Sequence, residues 1–80
     1  MPRVWELAAL VTRYEQCMTD GDILTPTDLP AAVESYWQAV DIKELIYHEA
    51  VRFGVPMPGT GCWQDDLRTV QAFIAGGGWQ

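Results

Sequence analysis

The stretch DLPAAVESYWQAVDIKELIYHEAVRFG, residues 28–54, decides how many helices this chain forms. Leu29, Val33, Trp37 and Val40 recur at three- and four-residue steps, the spacing of one helical face, with Tyr36 one position off that line. Carried straight on, the stripe would meet Lys43 and Glu44, whereas the apolar residues resume at Ile42, Leu45, Ile46, Ala50 and Phe53. The phase breaks near Asp41. Asp41 and Glu44 also have the spacing of a capping box, so a new helix or a kink is expected there, and the pattern leaves open whether the two halves are one rod.

The ends of the stretch carry their own signals. Thr25-Pro26-Thr27-Asp28 reads as a capping box with Thr25 as N-cap and Leu24 and Leu29 as a hydrophobic staple. Pro30 favours a second reading with Asp28 as the cap, because a proline is harmless only in the first turn, where its missing N–H has no helical partner to lose. Gly54, followed by Val55-Pro56, is a stop signal, with glycine able to take the left-handed cap conformation.

Working outward, Pro2 opens a segment in which Val4, Leu7, Val11, Tyr14 and Met18 form a helical stripe, and Asp20-Gly21-Asp22 supplies turn chemistry after it. Downstream, residues 56–61 form a turn-rich connector, and Trp63, Leu67, Val70 and Ile74 form a last stripe, ended by Gly76-Gly77-Gly78. Asp65 and Asp66 lie in its first turn, where negative charge complements the helix dipole. The expected architecture is all-α: one domain over residues 1–80, a compact bundle of three to four short helices at about 3–18, 29–40, 42–53 and 63–75.

Composition bounds the function. With 80 residues there is room for one small domain, and a hydrophobic content of 49%, including four Trp, argues for a folded core rather than disorder. Eleven acidic residues against five basic ones give a net charge of −6, which repels nucleic acid and anionic membrane. The longest apolar run, Leu7 to Val11, is too short for a signal-peptide core or a membrane span, so a cytoplasmic location is expected. Cys17 and Cys62 show no metal-ligand spacing, and with a single histidine, His48, a zinc site lacks ligands; two reduced, mostly buried cysteines are expected, with no metal and no cofactor. Asp20-Gly21-Asp22 resembles the start of a calcium loop, but Ala31 stands where the closing Glu belongs. A thiol enzyme built on Cys62 and His48 is a minor reading, and no catalytic residue is assigned.

The surplus of aromatics is more informative. Trp5, Tyr36, Tyr47 and Trp79 lie off the main stripes, and Trp and Tyr are enriched among binding hot spots; with Asp65 and Asp66 to steer a cationic partner, these six are the expected partner-binding residues. The expected function is a non-catalytic protein-binding module, an inhibitor or adaptor docking on a basic surface of a larger protein that itself binds nucleic acid. In general character the chain resembles the small acidic proteins of bacteriophages and mobile elements, including anti-CRISPR proteins. The alternative is a structural subunit, a helical homodimer completed across Tyr47 and Val51.

Overall fold

The computed structural model describes residues 4–76, which form three helices and no strand: α1 (Val4–Leu24), α2 (Leu29–Phe53) and α3 (Trp63–Ala75). The all-α expectation holds, and the number of helices is three, because α2 runs unbroken through Asp41. Its buried residues are Ala32, Ala39, Ile42, Ile46 and Ala50, which keep one helical phase from end to end. The break seen in the sequence comes from comparing two different faces. In the first half of α2 the core face is built of alanine, while the larger Leu29, Val33, Trp37 and Val40 all face solvent. Asp41 and Glu44 are exposed mid-helix residues and cap nothing.

Both ends of α2 follow from single residues. Asp28 is the N-cap, its Oδ1 accepting the Ala31 N–H at 3.2 Å, and Pro30 sits in the first turn. Thr25 instead closes the preceding helix, its hydroxyl donating to the Gly21 carbonyl at 2.7 Å. At the C-terminus Gly54 takes φ +75°, its N–H donating to the Val51 carbonyl (3.1 Å) and that of Val55 to the Ala50 carbonyl (3.0 Å), the paired bonds of a Schellman motif. Val55 is buried beyond the cap, which locks the exit direction of the chain.

The turn expected at Asp20-Gly21-Asp22 does not form, and α1 continues to Leu24. Tertiary contact overrides the local preference. Gly21 is buried beneath the Tyr36 ring, and a Cβ there would lie 2.7 Å from the ring's Cδ1 and Cζ. The Tyr36 hydroxyl donates to Asp22 Oδ1 at 2.6 Å, so the Asp22 carboxylate bonds to α2 rather than to its own backbone.

The four-residue connector 25–28 makes α1 and α2 an antiparallel hairpin, with Asp22 against Tyr36, Cys17 near Gln38 (4.0 Å) and Leu10 and Arg13 beside Leu45. The core lies at one end of it, formed by Leu7, Val11, Ile42, Ile46, Ala50, Val55, Val70 and Phe73. No residue between 18 and 41 belongs to this cluster, and no half-buried hydrophobic residue of that stretch packs against it. α3 covers the core end only. Its anchor is Trp63, whose Nε1 donates to the Tyr14 hydroxyl at 2.7 Å; the Tyr14 and Tyr47 rings each lie 5.3 Å away, and Lys43 Nζ sits 5.1 Å from the Trp63 ring. Phe73 meets Phe53 at 6.1 Å at the other end of α3. The result is a rod of 45 × 26 × 18 Å with a radius of gyration of 13.6 Å, where a globular chain of this length would have about 12 Å.

Candidate protein-binding surface

The five described residues among the six expected to bind a partner do not form one surface. Trp5 is exposed (59%), beside a groove of about 300 Å³ between α1 and α2 that also involves Leu10, Arg13, Leu45 and Glu49. Tyr36 is half-buried, its ring on Gly21 and its hydroxyl on Asp22. Tyr47 and Asp66 are directed at each other: the Tyr47 hydroxyl donates to Asp66 Oδ2, and Asp66 is only 5% exposed. That carboxylate is inside the fold and unavailable to steer a partner. Its hydrogen bond, with burial, pushes the Tyr47 phenol up to about 12. Asp65 is half-buried and accepts from the Thr60 hydroxyl (3.1 Å), with Arg68 at 3.8 Å. Trp79 lies outside the described residues.

The cysteines also depart in part from expectation. Cys17 is half-buried, but Cys62 is exposed at the N-cap position of α3, its thiol directed at Gln64 Oε1 (3.3 Å). His48 is exposed on α2.

A different surface stands out. Leu29, Val33, Trp37 and Val40 lie on α2 at the end that α3 leaves uncovered, and Trp37 is 65% exposed. Val33, Tyr36, Trp37 and Val40 line a shallow apolar groove of about 170 Å³. Most of the net charge sits at the same end, with Glu15, bonded to Gln71 of α3, and Asp41, near Arg13, at its border with the core end. Residues 14–42 contain Glu15, Asp20, Asp22, Asp28, Glu34 and Asp41 and no Lys, Arg or His, and all six carboxylates are on exposed residues. The remaining residues carry five acidic and five basic groups, so this segment holds the whole net charge of −6. Among the described residues the ion pairs, Arg52–Glu49 (2.9 Å) and Arg68–Asp65 (3.8 Å), both lie elsewhere.

Sequence reading set Trp37 and its neighbours on one apolar helical stripe and left them out of the expected binding residues. The contrary signal was present in Ala32 and Ala39, which keep phase with Ile42 and Ile46, and in Gly21, which makes room on the facing helix. Hydrophobic size and burial part company where two helices approach closely, since small side chains then occupy the interface. Neither known protein families, nor curated proteins, nor solved structures give a match to this chain.

Proposed function

We propose that this protein is a non-catalytic binding module that docks its two-helix end on a basic, partly apolar surface of a larger protein, as an inhibitor or adaptor. The observation that carries this reading is the coincidence of the exposed stripe Leu29, Val33, Trp37 and Val40 with the segment that holds the entire net charge. The two features divide the work of binding. Desolvation of Trp37 and its neighbours supplies affinity, in the manner of aromatic hot spots, while six carboxylates speed encounter with a cationic partner and repel acidic ones. A cationic surface of that kind is what nucleic-acid-binding proteins present to phosphate, so occupying it would inhibit by competition.

The test is affinity capture from a nuclease-treated bacterial lysate with wild type, Trp37→Ser and Trp5→Ser, at low and high salt. One stoichiometric partner that is lost with Trp37→Ser or at high salt, and kept with Trp5→Ser, supports the reading. Equal recovery by all three proteins at both salts removes it.

Self-association is the second reading, favoured by the same exposed stripe in a small domain. Pairing two copies through this end would bring six carboxylates against six, which argues against it at low ionic strength. Light scattering at micromolar concentration decides: a dimer that persists at low salt and is lost with Trp37→Ser supports self-association.

A further inference from the structure

We infer that the partner element received at the two-helix end is a basic amphipathic helix, lying along the line that α3 occupies at the other end; this rests on the binding role proposed above and specifies its occupant. The seat of α3 on α2 is visible in Lys43 and Tyr47, which meet Trp63. Counting back from Tyr47 in steps of four and three gives Lys43, Val40, Tyr36, Val33 and Leu29, a single stripe along α2. Its lower part holds the start of α3. Its upper part, from Val40 to Leu29, is the apolar groove with no third helix over it among the described residues.

The continuation has the dimensions of a helix. Leu29 to Val40 spans about 17 Å along the axis, which about three turns of a partner helix would cover. An extended peptide has nothing to pair with here, because helical backbone groups are bonded within their own helices and no strand edge exists among the described residues. Charge selects the sequence of that helix. On the α1 side, Asp22 is placed beside the groove by its bond with Tyr36, and Glu15 beside the α3 line by its bond with Gln71 (3.1 Å). On the α2 side Trp37 borders the groove, while Asp41, one turn further on, lines a separate groove with Arg13 and Leu45. A helix with one apolar stripe and Lys or Arg on the flank that faces α1 satisfies this rim, whereas a second copy of this end does not.

The experiment titrates the ¹⁵N-labelled protein with three synthetic peptides of about 14 residues: a Leu/Lys peptide with helical periodicity, its isomer with strictly alternating Leu and Lys, and a helical Leu/Glu peptide. Helical Leu/Lys is expected to bind at least about tenfold more tightly than the alternating isomer, to shift amides over 29–40, and to lose at least about tenfold affinity with Val33→Glu. That substitution adds negative charge, so a purely electrostatic contact would strengthen instead. Equal or tighter binding of the alternating isomer, with shifts still over 29–40, overturns the helix inference and leaves the basic-partner reading standing, whereas shifts confined to the Trp5 groove overturn both, because the proposed docking end is then not the one used. Equal binding of the Leu/Glu peptide, or binding of none, overturns both.

Discussion

The two ends of this rod are built from the same two helices and stabilised differently. At the core end a third helix is added, and Leu7, Ile46 and Val70 are completely buried. At the other end α1 and α2 meet through Ala32, Ala39 and Gly21, and the larger apolar side chains point outward. Burial of a Leu or Ile contributes about 1.5–3 kcal/mol, and an alanine much less, so the free energy of folding is concentrated where α3 packs. The lesson is a separation of tasks along one molecule: the end that holds the fold together is nearly neutral, and the end that carries the charge and the exposed aromatic contributes little to holding it.

That contrast can be broken by substitution. Leu7→Ala or Ile46→Ala should destabilise by about 2–5 kcal/mol in denaturant unfolding, since each leaves a cavity in the closed core. If either variant lost less than Val33→Ala does, the division would be wrong.

Gly21→Ala probes the opposite end. Helix propensity alone favours alanine by about 1 kcal/mol, but the added methyl overlaps the Tyr36 ring, and overpacking costs about 1–3 kcal/mol. Net destabilisation is expected, relieved in the double variant with Tyr36→Ala. A plain gain in stability would show that the ring is free to leave the glycine.

Tyr47→Phe tests the attachment of α3. It strips the described donor from Asp66, whose Oδ1 already lacks a partner, at an expected cost of about 1–3 kcal/mol. The variant also has a pH signature. The phenol is pushed up to about 12 in the folded protein from an ordinary 10.0, so folding favours its protonated form. That stabilisation is complete below pH about 10, falls as pH rises towards about 12 and is then gone. Between those limits thermal unfolding of wild type should decline more steeply with pH than that of Tyr47→Phe; parallel curves would refute the assignment.

The smallest effects sharpen the picture. Asp28→Ala should cost about 1 kcal/mol by uncapping α2. Trp37→Ser should stay within about 0.5 kcal/mol, as an exposed position does, while abolishing partner capture.

Much of the fold was legible in residue order. Asp28 with Pro30 places the start of α2, Gly54 its end, and the Trp63 stripe marks α3 at its observed limits, because caps and apolar spacing act locally. The continuity of α2 was not legible, since the clue lay in alanines that carry no hydropathic weight. The extension of α1 past Asp20-Gly21-Asp22 was hidden for a related reason: glycine has turn meaning locally and packing meaning only when a ring 15 residues away rests on it. The candidate surface was the least legible, because Trp37 follows core spacing while facing solvent, whereas Tyr47 and Asp66, which looked peripheral, close on each other inside.

The Tyr36 ring seated on Gly21 also fixes axial register. A contact made of alanines would let α1 and α2 slip past each other, since one small side chain resembles the next. A ring in a notch does not slip: a shift of one helical turn, about 5.4 Å, would bring Tyr36 opposite residues with side chains and remove its hydroxyl from Asp22. The notch therefore acts as a ruler for the hairpin, holding the acidic groups of α1 at a set height beside Trp37.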